Sequence, residues 1–342
     1  MAPINIFKYT TSSPADTTPL LRLEKEGHPA SDVLAVIGKT EGNGCVNDFS
    51  RTLSAHAFEA PARIPASAVT VFSGGTEGVL SPHVTFLVRS RERTGLVACS
   101  AHTRPLAPQE VGTEVQSREV AGVIFALIAD AGIPADAVRL VLVKCPLLTS
   151  ADIEQVRAAA QVPITADTYH SMAFLRYASV LGIALSLGEI TPGELAAGLG
   201  GELGAVWSPR ASCSSGAELK RCHIMVLAAD PQEAQGRLRA TSGYMKDAMD
   251  AGVVLEMLDQ IKAEDGKVEQ VFVKAEADPS GSIRGLRHTM NTDSDIHSTR
   301  HARAAVGGLV AGLVGDSAVY VSGGGEGQGP PGGGSLCIVY SV

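Results

Sequence analysis

The chain has 342 residues, 45% of them hydrophobic, with a formal net charge of -8 at pH 7. That is ample for a buried core, and the length admits two or three domains. Basic residues are spread along the chain with no run interleaved with aromatics, which argues against a nucleic-acid partner.

The N-terminal residues Met1-Ala2-Pro3-Ile4-Asn5-Ile6 lack the basic stretch and apolar run of a signal peptide. A first unit, residues 1–92, opens on the strand-like run Ile4-Asn5-Ile6-Phe7. Its run Val33-Leu34-Ala35-Val36-Ile37-Gly38 ends in Lys39, and an irregular stretch containing Arg51 follows. Then come Ser73-Gly74-Gly75-Thr76-Glu77 and a closing strand, Val84-Thr85-Phe86-Leu87-Val88. The charged residues 89–93 read as a linker.

A second unit, residues 94–231, opens with Leu96-Val97-Ala98-Cys99. Val120, Val123, Ile124, Leu127 and Ile128 share one helical face, which predicts a helix over 117–131 with Gly132 at its C-terminal cap. The run Leu140-Val141-Leu142-Val143 ends in Lys144. Ser214-Ser215-Gly216-Ala217-Glu218 follows downstream, and Ile224-Met225-Val226-Leu227 closes the unit. Residues 231–235 read as a second linker.

A third unit, residues 236–342, opens near Arg237-Leu238-Arg239. Val254, Met257, Leu258 and Ile261 predict a helix over 248–261. Val271-Phe272-Val273 ends in Lys274, and Ser322-Gly323-Gly324-Gly325-Glu326 precedes the closing strand Leu336-Cys337-Ile338-Val339-Tyr340. The apolar run 304–314 is too short to cross a bilayer and is interrupted by glycines, so it reads as a closely packed buried helix.

Each unit therefore reads roughly β-α-β-loop-α-β. The expected fold is α/β: three similar β-α-β-type units around a pseudo-threefold axis, their sheets meeting around that axis. Three Lys/Ser pairs in the same order suit a small ligand that is itself nearly threefold. Lysines gathered near an axis, flanked by cations and partly desolvated, have a lowered pKa, as a general base requires. The glycines beside each serine let backbone N–H groups converge on a carbonyl oxygen or oxyanion. Each unit also offers an arginine, whose fork of donors suits ring carbonyls. These are Arg51, Arg176 and Arg303, the last two equivalent when His170-Ser171 is aligned with His297-Ser298.

Other chemistries fit poorly. Gly38-Lys39-Thr40 resembles the end of a phosphate-binding loop, but Val33 stands where that motif needs its first glycine. Ser73 has Val71 where a nucleophile elbow needs glycine. Histidines are scattered, without a zinc-site spacing. The six cysteines include no C-x-x-C pair and read as reduced thiols of a cytoplasmic protein.

Several blocks carry a wider likeness. They are Gly38-Lys39-Thr40-Glu41-Gly42-Asn43-Gly44, Ser73 through His83, Lys144-Cys145-Pro146-Leu147-Leu148-Thr149, and Leu181-Gly182-Ile183-Ala184-Leu185. Lys274-Ala275-Glu276-Ala277, Ser298-Thr299-Arg300-His301-Ala302-Arg303 and Gln328-Gly329-Pro330-Pro331-Gly332-Gly333-Gly334 complete them. Together the chain resembles the cyanuric acid hydrolase/barbiturase family over essentially its whole length. The resemblance implies a homotetramer that opens a small cyclic ureide, with Lys144 as base and Ser214 as nucleophile. It implies that Lys39/Ser73 and Lys274/Ser322 bind the other two carbonyls. Arg51, Arg176 and Arg303 would hold the ring edges, and the N–H groups of Gly74, Ser215 and Gly323 would complete the cradles. It further implies no organic cofactor, but a structural Mg²⁺ or Ca²⁺ held by the Glu276 carboxylate and carbonyls at Gly325, Gln328, Gly329, Pro330 and Gly333. One carboxylate with carbonyl oxygens suits such hard ions.

The residues alone do not choose among the three pairs, although Ser215 in the second unit replaces Gly74 and Gly323 of the others. Three arginines favour the threefold cyanuric acid over barbituric acid. The alternatives are barbiturase and a non-catalytic binder of a cyclic imide.

Overall fold

The computed structural model describes residues 1–59 and 63–342. The first unit comprises β1 (Ala2–Thr10), α1 (Thr18–Lys25), β2 (Val33–Thr40), α2 (Phe49–Glu59), β3 (Val69–Gly74) and β4 (His83–Arg89). The second comprises β5 (Leu96–His102), α3 (Glu114–Asp130), β6 (Val138–Pro146), α4 (Ser150–Ala158), α5 (Thr168–Ser186), α6 (Pro192–Gly200), β7 (Ala211–Gly216) and β8 (His223–Ala229). The third comprises β9 (Leu238–Met245), α7 (Ala251–Ala263), β10 (Lys267–Ala275), the short β11 (Ser282–Ile283) and β12 (Leu286–Arg287), α8 (Ser298–Val314), β13 (Tyr320–Gly323) and β14 (Gly334–Ser341).

Local chemistry sets the boundaries. Helix α3 starts ahead of the predicted 117 because Thr113 caps it, its side chain accepting from the N–H of Val115. It ends where Gly132 takes a φ of +62°. Helix α7 starts later than the predicted 248 because Asp250 caps it through the N–H of Val253. The run 304–314 is the C-terminal part of α8, packed so closely that a Cβ on Gly307 would come within 2.8 Å of Leu80. Arg93 of the first expected linker pairs with the buried Asp230, just ahead of the second, at 2.6 Å and also donates to Gln232 within it.

Sheet order repeats three times. It is β3-β2-β4-β1 in the first unit, β7-β6-β8-β5 in the second and β13-β10-β14-β9 in the third. The three similar sheets of the expected fold are present, and two of them are continuous. Strands β1 and β5 pair antiparallel through Ala2↔Ala98 and Pro3↔Val97, so the first two sheets form one of eight strands. Pairing satisfies two edges whose backbone groups would otherwise stay open.

Three peripheral cores lie between each sheet and its helices. A fourth draws on strands of every unit, with Ile37 and Val71, Leu142 and Met225, and Phe272 and Tyr320 among its members. Above that shared core the serine strands converge, β13 packing against both β3 and β7. In each unit the lysine strand and serine strand are parallel and in the same register: Lys39↔Ser73, Lys144↔Ser214 and Lys274↔Ser322. All six residues thus sit at the carboxyl ends of parallel strands, where open α/β sheets place their ligand sites.

Candidate active site

The convergence forms one pocket. Its lining includes Ser73, Ser214 and Ser322, their neighbours Gly74, Ser215 and Gly323, and all three arginines. Lys144 also lines it, whereas Lys39 and Lys274 are not among the lining residues. The lysines are all 1% exposed or less, so each ammonium has lost its water shell.

The three pairs differ in their bonding. Lys39 donates to Ser73 Oγ at 3.3 Å and to the Gly74 carbonyl at 3.2 Å. Lys274 donates to Ser322 Oγ at 2.9 Å and to the carbonyls of Cys213 and Gly323 at 2.8 and 3.0 Å. Lys144 instead donates to the carbonyls of Phe72 and Ser215 at 2.8 and 2.9 Å. Among the described residues, Ser214 Oγ has no hydrogen-bond partner.

Burial lowers Lys144 to about 8, with Glu218 opposing the shift and Arg51 adding to it. Burial and then Arg176 press Lys274 further, to about 7. Burial and then Arg303 hold Lys39 well below the ordinary lysine range. Lys274 therefore loses its proton more readily than Lys144. The bonding ranks the two differently. Lys274 faces three oxygens, the full donor complement of an ammonium. A neutral Lys144 keeps both its carbonyl contacts and has a lone pair left for the proton of its register partner, Ser214.

Two of the glutamates that end the Ser-small-Gly-x-Glu segments pair with an arginine of another unit. Glu77 of the first unit takes Arg303 of the third, with Nε at 2.8 Å and Nη2 at 2.5 Å. Glu326 of the third takes Arg176 of the second at 3.0 and 2.8 Å. Burial raises both carboxyls, but their arginines outweigh it and hold them below the ordinary range. The same rotation would pair Glu218 of the second unit with Arg51 of the first. That pair is not formed. Glu218 lies 3.6 Å from Lys144, and Arg51 donates to the carbonyls of Ser215 and Cys45 at 3.1 and 2.7 Å. Among the described residues, Arg51 Nε and Glu218 Oε2 are left without partners.

The sequence model of the amidohydrolase ring-opening proteins matches residues 5–341. The chain belongs to this family. A cyanuric acid amidohydrolase of Sarocladium sp. is 58% identical over 345 residues, covering 100% of this chain and 99% of that protein. Another, from Pseudomonas sp. (strain ADP), is 41% identical with 98% of each covered. The crystal structure of the cyanuric acid hydrolase from A. caulinodans has a TM-score of 0.91 at 40% identity, covering 100% of this chain and 99% of that one.

This ring-opening amidohydrolase is thus an enzyme of cyclic amides, and its three-unit fold is shared with its solved relatives. All the residues expected around the ring are brought to the pocket or stand directly behind it. The expected metal loop lies beside them, Glu276 lining a neighbouring pocket together with Arg176 and Glu326. Gly332 donates its N–H to Glu276 Oε2 at 3.1 Å, and a Cβ on Gly325 would lie 3.0 Å from Glu276 Cβ and 3.6 Å from the Gly333 carbonyl. Burial and then Glu326 push the Glu276 carboxyl up to about 7. The carbonyls of Gly325 and Pro330 each accept an N–H at 2.8 Å, from Gln328 and Gly333. The half-buried Glu276 is thus the one carboxylate among the expected ligands, and hard cations take oxygen donors of this kind. No cluster of three or more His, Cys, Asp or Glu side chains suited to a metal occurs among the described residues.

Sequence reasoning missed several residues of the amidohydrolase site. The three glutamates stood in the repeated pattern without a role, and their recurrence was the available signal. Tyr169, Met172 and Thr299 also line the pocket. Met172 and Thr299 fall at one position in the register that aligns His170-Ser171 with His297-Ser298, but their side chains differ, so the repeat did not mark them.

Proposed function

We propose that this amidohydrolase opens the ring of cyanuric acid, with Lys144 as base and Ser214 as nucleophile. The observation that carries the reading is the set of three Lys/Ser pairs in one register around a pocket that also holds three arginines. That array matches a ring with three carbonyls, and the relatives at 41–58% identity are cyanuric acid amidohydrolases.

In this mechanism neutral Lys144 takes the proton of Ser214 as its Oγ attacks a ring carbonyl. Backbone N–H groups beside Ser215 hold the oxyanion. The tetrahedral centre collapses, the ring C–N bond breaks, and Lys144 returns the proton to the departing nitrogen. Water, deprotonated by the same amine, then hydrolyses the acyl-serine. The product is carboxybiuret, which loses CO₂ to give biuret. Lys39/Ser73 and Lys274/Ser322 polarise the other two carbonyls while the arginines hold the ring edges.

Glu276, with the carbonyls of Gly325, Gln328, Gly329, Pro330 and Gly333, would hold Mg²⁺ or Ca²⁺. The ion would fix the loop that follows Ser322. We also propose a cytoplasmic homotetramer. Sedimentation of the purified protein reads the assembly state. All six cysteines are free thiols, and no helix among the described residues is long and apolar enough to cross a membrane.

The test is ring opening of cyanuric and barbituric acid side by side, by wild type and Ser214→Ala. Cleavage of cyanuric acid alone, lost in the variant, is the expected result. Cleavage of barbituric acid alone overturns the substrate, and full activity of Ser214→Ala overturns the nucleophile.

A further inference from the structure

One buried polar group that the mechanism leaves unused stands out by its place in the repeat. Tyr320 lies on β13 two residues before Ser322, so both side chains project from the same face of the strand. The registers make three positions equivalent. Val71, Ser212 and Tyr320 each precede their unit's serine by two residues, opposite Ile37, Leu142 and Phe272. Three tyrosines would collide there; the chain supplies one, beside a valine and a serine.

Tyr320 is 1% exposed and belongs to the core shared by all three units. Its oxygen faces the hydroxyls of Ser214, Ser322 and Ser73. It completes hydrogen-bond geometry with none of the described residues. A buried hydroxyl left open is destabilising, and phenylalanine would fill the same space without that penalty. Burial pushes the phenol well above its ordinary range, so it keeps its proton and acts as a donor.

The three serines do not compete equally for that proton. Ser73 and Ser322 already accept from Lys39 and Lys274. Ser214 Oγ has no donor. A phenol has a single proton to give. We propose that Tyr320 is a positioning residue for the nucleophile, donating its one proton to Ser214 Oγ from beneath and steadying that oxygen as Lys144 removes the serine proton. The inference rests on Ser214 as nucleophile. It adds a second asymmetry to the site, supplied by the third unit and acting on the second.

The experiment compares Tyr320→Phe, Ser212→Ala and Ser214→Ala with wild type, measuring kcat, KM and the thermal midpoint with cyanuric acid. For Tyr320→Phe we expect kcat to fall about 10- to 100-fold, with KM within about twofold and the thermal midpoint unchanged or raised. Ser212→Ala, which also removes an unpartnered buried hydroxyl, is expected to keep the wild-type kcat. Wild-type kcat in Tyr320→Phe overturns the proposal while leaving Ser214 in place. Failure of that variant to fold, or a loss that follows a lowered midpoint, makes the phenol structural and overturns it too. Full activity of Ser214→Ala removes the underlying reading and this inference with it.

Discussion

The second unit and its two neighbours build the same strands in the same order, yet their lysines end in different company. Lys39 and Lys274 are tied to their serines, whereas Lys144 is tied to two carbonyls and a glutamate. The backbone is held constant and the chemistry is changed by re-pairing side chains. Glu218 leaves the arginine that symmetry would assign it and sits beside Lys144. That contact keeps Lys144 near 8 rather than lower. A base depressed much further would be too weak to hold the serine proton.

The sharpest test of this comparison removes each serine in turn. Ser214→Ala is expected to lower kcat on the order of 10⁴-fold or more, as for a nucleophile. Ser73→Ala and Ser322→Ala should cost about 10²-fold, as for groups that polarise a carbonyl. Mass spectrometry of the quenched enzyme should find the acyl group on Ser214. Finding it on Ser73 or Ser322 would break the assignment.

The glutamates give the next largest effect. Glu77→Gln and Glu326→Gln each strand a buried arginine and should destabilise the fold by about 2–4 kcal/mol. Glu218→Gln strands none and should cost about 1 kcal/mol. Denaturant midpoints at constant m-value read the difference, and equal losses at all three positions would erase the asymmetry.

The pH profile separates the lysines more finely. The base must be neutral, so kcat/KM should rise with pH through about 8, the position of Lys144, and then level off. Glu218 favours the charged amine, so Glu218→Gln should move that limb to lower pH. A limb that responds to Glu326→Gln instead would name Lys274, which Glu326 raises. The smallest effect is expected from metal removal. Chelation should lower the thermal midpoint by a few degrees, about 1 kcal/mol, without changing which serine is acylated.

Much of this site could be read from the chain because the repeat is written locally. A strand ending in lysine and a serine beside glycine are short signals, and three copies made each one credible. Arg51, Arg176 and Arg303 followed from their place after the lysine strands. The Glu77–Arg303 and Glu326–Arg176 pairs did not, because each joins residues more than a hundred positions apart in different units. Glu218 was less visible still, since it carries the same letter in the pattern as its two counterparts and differs only in what it touches. Helix α1, with Pro19, Leu20 and Leu23 as its buried residues, is too short for a period to show. The fusion of two sheets rests on the Ala2↔Ala98 and Pro3↔Val97 pairs, an edge contact that no hydrophobic pattern announces.

For two of the lysines one accepting carbonyl belongs to the neighbouring unit: Phe72 serves Lys144, and Cys213 serves Lys274. A unit standing alone would give up that partner. The surroundings of Lys144 and Lys274 are therefore complete only when the units close on one another, so the proposed chemistry waits on the whole chain being folded.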